Sequence, residues 1–284
     1  MTGAGLIRRR LFLFGCERSG TTLLQIMLSR HSDIFSTPET EFFRNTVGSR
    51  RGWLAKLGLA TGKERNGLRK TCEAMRLADY PLRYRPSIFY GTTARTFLSY
   101  LDAQAQAEGR SIWLEKSPRH LFHVDVIRRY VDGVHFIHIF RRGEDVIGSI
   151  LDRAQKYLGS DSRQHDVFDG VNRWNRAIAE SAKFVGQPGP SFVHYESLVR
   201  RPDAVLDRLC RDIGIEFERA MTESGVYDSV ISSSRPHLAN SAAPITPPES
   251  KFERLVPLHQ QERVRQALDM PLYEHLVDQF RFSR

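Results

Sequence analysis

Cysteine is scarce in this sequence, long hydrophobic runs are missing, and acidic residues are outnumbered. Only three of its 284 residues are cysteine. Cys16, Cys72 and Cys210 stand far apart, are odd in number and lack any CxxC spacing. That excludes a disulfide framework or a zinc site as the expectation and fits a reducing compartment. No stretch approaches the ~18 apolar residues of a membrane span. The opening MTGAGLIRRRLFLFGC has a basic run before an apolar one. Its apolar part, Leu11 to Phe14, is too short for a signal peptide, and no small-residue cleavage site follows. The expectation is a soluble, cytoplasmic protein. Hydrophobic residues make up 40% and charged residues 26%, which excludes a wholly disordered chain. Lys and Arg total 42 against 33 for Asp and Glu, for a net charge of +9. An anionic partner is implied: nucleic acid, an anionic membrane surface, or a multiply charged small molecule. The basic residues are spread along the chain. The densest run, Arg8 to Arg10, directly precedes an apolar segment and reads as a solvated strand flank.

What is present is an alternation of strand and helix patterns. Leu11 to Phe14 is a short apolar run ending at Gly15, the pattern of a buried parallel strand. A turn of Cys16 to Thr22 follows, then LLQIMLSRH in a helical pattern. Ile34 and Phe35 begin a second strand that Pro38 breaks. Residues 44–109 read as a basic helical insertion on a sheet edge. Ser111 to Leu114 is a short strand and His120 to Tyr130 a helix. Val134 to Phe140, VHFIHIF, is the clearest buried strand, rich in β-branched and aromatic residues. Helices are predicted at Glu144 to Tyr157, Phe168 to Val185 and Pro202 to Ile213, the last closed by Gly214, with a strand at Ser191 to Tyr195. Together these predict one α/β domain over 1–284, a three-layer P-loop-type fold with a central parallel sheet and a helical insertion. The Ser- and Pro-rich segment 232–250 reads as a lid loop.

The turn at Gly15 to Thr22 has the outline of a phosphate-binding loop. Backbone N–H groups at a helix N-terminus bind anions through unpaired donors and the helix dipole. Gly20 permits close backbone approach, and Ser19, Thr21 and Thr22 supply hydroxyls. A nucleoside-triphosphatase loop needs Lys where this chain has Thr21, and the cation comes earlier, at Arg18. That departure argues against an ATP or GTP hydrolase or a kinase.

At these residues the chain resembles the sulfotransferase superfamily. Arg18-Ser-Gly-Thr-Thr-Leu-Leu is similar to the family's 5′-phosphosulfate loop, in the form used by tyrosylprotein sulfotransferases and many bacterial relatives. In that group an Arg stands where cytosolic enzymes carry Lys. Phe140-Arg-Arg-Gly-Glu-Asp-Val-Ile-Gly-Ser149 resembles the 3′-phosphate motif, with Arg141 and Ser149 in the contacting positions. Arg141 leaves a strand at the carboxyl edge of the sheet, where ligands bind in open α/β folds, and Arg suits bidentate phosphate contacts. Ser149 is placed about one turn into the following helix. Glu115-Lys116-Ser-Pro118 resembles an element whose Lys reaches the transferring group. Tyr195-Glu-Ser-Leu-Val resembles one whose Tyr contacts the 3′-phosphate. The four elements occur in family order over about 11–217.

The resemblance implies a sulfuryl group moved from 3′-phosphoadenosine-5′-phosphosulfate to an acceptor hydroxyl, leaving 3′-phosphoadenosine-5′-phosphate, without a metal. In-line transfer needs cations and aimed donors around spread negative charge. Arg18 and Lys116 are the candidates. Glu39 matches the base of the tyrosylprotein group, with Glu41 and His120 as competitors. His31 and His138 read as packing or surface residues. The acceptor is expected to be a small molecule or carbohydrate, bound by the helical insertion and the loop after Ser232. The other readings are a nucleotide or small-molecule kinase and a nucleic-acid module. The latter draws on the net charge and the segment Arg83-Tyr84-Arg85 to Tyr90.

Overall fold

The computed structural model describes residues 6–47, 52–75, 86–158, 166–223 and 250–280. Its sheet has five strands in the order β2-β3-β1-β4-β5. They are β1 (Arg9–Gly15), β2 (Ile34–Ser36), β3 (Ile112–Lys116), β4 (Val134–Phe140) and β5 (Ser191–His194). The recorded registers, β1 with β3, β2 with β3 and β4 with β5, are all parallel. The helices are α1 (Thr21–Ser29), α2 (Phe42–Val47), α3 (Gly52–Lys56), α4 (Glu64–Ala74), α5 (Tyr90–Ala107) and α6 (Val124–Tyr130). They continue with α7 (Gly143–Leu158), α8 (Val167–Ala182), α9 (Tyr195–Arg200) and α10 (Pro202–Ile213). Three more close the chain: α11 (Phe252–Leu255), α12 (Leu258–Ala267) and α13 (Met270–Phe280). The chain is therefore mixed α/β around a parallel sheet, as the alternating patterns predict.

The chain divides into two compact units. The first comprises Met1–Phe14, Thr22–Phe136 and Glu216–Ala243. Its core is aromatic. Phe42 stacks on Phe97 with centroids 4.0 Å apart, and Phe12 meets Trp113 edge-on at 5.4 Å. All four side chains are fully buried, each a gain of roughly 1.5–3 kcal/mol. Leu11↔Leu114 and Leu13↔Lys116 set the register that carries Lys116 to the end of β3.

The second unit comprises Gly15–Thr21, Ile137–Ile215 and Pro244–Arg284. It is built on Phe140, Trp174 and Tyr273, with Phe192 stacked on Phe280 at 4.4 Å. α10 begins at Pro202, where a missing N–H costs nothing, and ends at Gly214 with φ 84°. Several elements differ from expectation in their bounds, β3 among them, which runs Ile112–Lys116 instead of from Ser111 to Leu114. Tyr195 opens α9 instead of ending β5, because β5 stops at His194. The helix expected over 120–130 starts as a 3-10 turn, Pro118–His123, before α6. Ser149 lies in the second turn of α7, which starts at Gly143, in keeping with its expected place about one turn into the helix. The expected lid over 232–250 lies, apart from Ser250, outside the described residues, as do Arg83, Tyr84 and Arg85.

Candidate functional site

The loop from Gly15 to Thr21 is shaped by two close approaches. A Cβ on Gly15 would strike the carbonyl oxygen of Ile139, and one on Gly20 would strike the Tyr195 ring. Gly20 also has φ 93° and Arg18 has φ 69°. A left-handed arginine is disfavoured by roughly 1–2 kcal/mol, and such strain gathers at functional loops. The Ser19 N–H donates to the Cys16 carbonyl at 3.1 Å and tightens the turn. α1 starts at Thr21 with no acidic residue in its first turn, so no carboxylate of that turn offsets the positive end of its dipole.

Three side chains from outside the loop, Ser149, Arg141 and Tyr195, converge on it within the second unit. Arg18 Nε donates to Ser149 Oγ at 3.0 Å. Arg141 donates to the Arg18 carbonyl at 3.3 Å. Its guanidinium carbon lies 4.4 Å from the Tyr195 ring centroid, a cation–π contact. Arg141 is only 8% exposed, yet its Nε is buried with no hydrogen-bond partner. Ser19 Oγ, 1% exposed, is in the same condition. A buried unsatisfied polar group costs about 1–3 kcal/mol, so two beside one loop point to a ligand.

The electrostatics agree. Burial, then the charges of Arg153 and Arg141, push the Arg18 guanidinium below its ordinary value. Like charges held together are relieved by a bound anion. Burial raises Tyr195 despite Arg141, so it remains a neutral phenol. Arg153 was not foreseen. It sits four residues after Ser149 on α7, the spacing that places two side chains on one helix face. Lys251 bonds Asp152 at 2.8 Å. Ser233, Arg235 and Asn240 lie outside the described residues.

A separate cluster lies in the first unit. Lys116, 2% exposed, forms an ion pair with Glu39, whose side chain is 21% exposed. The segment carrying Glu39 is tied down on both sides. Gln25 Nε2 donates to the Thr37 carbonyl at 2.9 Å, and the Thr37 N–H donates to Leu114 at 3.0 Å. After Glu39, the Thr40 N–H and hydroxyl both donate to Glu115 Oε1, at 3.1 and 2.8 Å. Glu115 is fully buried and also receives Ser117 Oγ and His120 Nδ1. Burial alone would raise its carboxyl, but His120, Ser117 and Thr40 hold it below the ordinary value.

The competing bases are engaged elsewhere. The Phe43 N–H donates to His120 Nε2 at 3.1 Å, and Nδ1 faces Glu115 at 2.9 Å. Both ring nitrogens of this fully buried histidine are therefore occupied. Glu41 accepts Arg44 at 2.8 Å. Of the expected site residues, Arg18, Ser19, Gly20, Thr21, Arg141, Ser149 and Tyr195 belong to the second unit, and Thr22, Glu39 and Lys116 to the first. The described residues hold no group of His, Cys, Asp and Glu arranged for a metal, and no helix among them is long and apolar enough to cross a membrane.

Comparison with known proteins bears on this arrangement. The protein-tyrosine sulfotransferase of Drosophila melanogaster is 22% identical over 214 residues, covering 74% of this chain and 39% of the relative. Protein-tyrosine sulfotransferase 1 of Danio rerio is 24% identical over 215 residues, covering 74% and 54%. The chain thus spans about half or less of these relatives. The sulfotransferase domain of the Synechococcus PCC 7002 olefin synthase superposes with a TM-score of 0.61 at 23% identity, covering 100% of this chain and 98% of that one. The sulfotransferase domain of the curacin biosynthetic pathway gives 0.53 at 21%, covering 98% and 99%. These two share the fold. The sulfotransferase family matches residues 10–219, the stretch that carries the strained loop, the buried lysine and the arginine at the end of β4, and the chain belongs to that family.

Proposed function

We propose that this chain transfers a sulfuryl group from 3′-phosphoadenosine-5′-phosphosulfate to an acceptor hydroxyl. The observation that carries the reading is the pair of buried, unpartnered donors, Arg141 Nε and Ser19 Oγ, beside the N-terminus of α1. Guanidinium, hydroxyl and free N–H groups are the donor set a phosphate or sulfate requires. Ser19, Gly20, Thr21 and Thr22 would hold the 5′-phosphosulfate, and Arg141, Ser149 and Tyr195 the 3′-phosphate.

In the transfer, the acceptor oxygen attacks sulfur and the bond from sulfur to the 5′-phosphate oxygen breaks. The acceptor's proton passes to the Glu39 carboxylate. Arg18 and Lys116 offset charge on the sulfuryl oxygens as they leave the donor phosphate. Glu39 is favoured over Glu41 and His120 because its position resembles that of the base in the tyrosylprotein group and it pairs with Lys116, while both ring nitrogens of His120 are bonded. The acceptor is proposed to be a small molecule or carbohydrate hydroxyl.

Calorimetric titration with 3′-phosphoadenosine-5′-phosphate, against ATP and adenosine 5′-phosphosulfate, tests the donor assignment. Micromolar binding that Arg141→Ala and Ser149→Ala each weaken, with weak ATP binding, is the expected result. A preference for ATP, or no binding, would overturn it.

A further inference from the structure

The peptide that joins Arg141 to Arg142 has both of its polar groups held by side chains. β4 ends at Phe140 and α7 begins at Gly143, so this peptide belongs to neither ladder. Its carbonyl, on Arg141, accepts the Trp174 indole N–H at 2.9 Å. Its N–H, on Arg142, donates to Glu196 Oε1 at 3.1 Å. A peptide unit is rigid and planar, so two such bonds fix its orientation about both flanking dihedrals. Trp174 comes from α8 and Glu196 from α9, and Trp174 is fully buried.

The acceptor is itself anchored. Glu196 Oε2 pairs with His194 Nε2 at 2.8 Å and lies 3.4 Å from the Tyr273 hydroxyl. His194 Nδ1 lies 2.9 Å from Ser197 Oγ. Burial opposes the charge on Glu196, but His194 and the Arg142 N–H outweigh it and hold the carboxyl below its ordinary value. Arg141 is also the residue whose guanidinium carries a buried, unpartnered nitrogen. Its aim depends on the dihedrals that this peptide sets.

We propose that Trp174 and Glu196 are positioning residues for Arg141, and that by fixing the 141–142 peptide they set the preference for a nucleotide with a 3′-phosphate over one without. The proposal rests on the function proposed above. It goes beyond it by naming two residues that act through the 141–142 peptide.

The test compares affinities for 3′-phosphoadenosine-5′-phosphate and adenosine 5′-phosphate in the full chain and in Trp174→Phe, Glu196→Ala and Glu196→Gln. Losing one hydrogen bond to the peptide is expected to reduce the ratio of the two affinities about tenfold in the Phe and Ala variants. The affinity for adenosine 5′-phosphate stays level and serves as the folding control. Glu196→Gln keeps a carbonyl acceptor for the Arg142 N–H and retains most of the preference. An unchanged ratio in the Phe and Ala variants, or an equal loss for both nucleotides, overturns the proposal. If the Ala variant does not fold, Glu196→Asp replaces it: the shortened carboxylate keeps the charge, gives up the reach, and is expected to lose the preference equally. A full-length chain that shows no preference for the 3′-phosphorylated nucleotide would refute the donor assignment itself, a result distinct from failure of the clamp.

Discussion

A lysine that is 2% exposed and paired with one glutamate is an unusual commitment for a single side chain. Removing one member of a buried pair costs about 3–5 kcal/mol, and less here because Glu39 is partly solvated. Glu39→Gln is therefore expected to lower the melting temperature. It should also reduce kcat by about 10²–10⁴, the usual worth of a general base. Binding of 3′-phosphoadenosine-5′-phosphate should persist, which calorimetry on the same sample checks. Lys116 and Glu39 were singled out in the sequence by resemblance alone, and their pairing was not legible there, since the residues lie 77 apart. Glu115 was legible only as the neighbour of Lys116. Its partners come from Thr40, Ser117 and His120, and no local pattern joins them. Its depressed carboxyl predicts a pH dependence. A folded-state value below the ordinary carboxyl one means stability that is present above the ordinary value and lost as pH falls through the folded one. Denaturant midpoints at neutral pH should be lower in Glu115→Gln than in the parent, and the difference should shrink at pH values below about 4.

Among the elements, those with strong local signals were readable and those fixed by partners were not. β4 matches the expected Val134–Phe140 because five of its seven residues are β-branched or aromatic and apolar. α10 matches Pro202–Ile213 because proline starts it and a left-handed glycine ends it. α11, α12 and α13 were not foreseen. α11 is four residues long, and in α12 only Gln261 and Val264 are buried, so the apolar signal is thin. The loop between β1 and α1 was read as a phosphate-binding turn, yet what shapes it comes from elsewhere in the chain. Gly20 needs its left-handed φ of 93° and also leaves room for the Tyr195 ring. Gly20→Ala meets both penalties. It is expected to destabilise the protein by more than about 1 kcal/mol. It should weaken nucleotide binding more than Ser149→Ala does, because it displaces the whole turn. Equal or weaker loss in the alanine variant, measured by calorimetry, would show that the loop tolerates the shift.

For the molecule as a whole, a net charge of +9 raised three kinds of anionic partner, and the structure now separates long-range from short-range parts of that charge. Arg141 is 8% exposed, whereas Arg153 is exposed and adds to the field around Arg18. Exposed charges are screened over about 10 Å at 0.1 M salt, while contacts inside a desolvated site are screened much less. On the proposed function, a nucleotide with a 3′-phosphate and a 5′-phosphate would be drawn by the outer charges and kept by the inner ones. Raising salt from about 0.05 to 0.5 M should then slow association by roughly tenfold and leave dissociation almost unchanged. Stopped-flow measurement with a fluorescent analogue of 3′-phosphoadenosine-5′-phosphate separates the two rates. A nucleic-acid module would behave differently: unrelated duplex DNA would compete for the analogue, with a steep loss of affinity as counterions return. Absence of competition together with a salt-sensitive association rate assigns the net charge to steering a small anion. Competition by DNA at low salt would instead make the basic surface a second binding face.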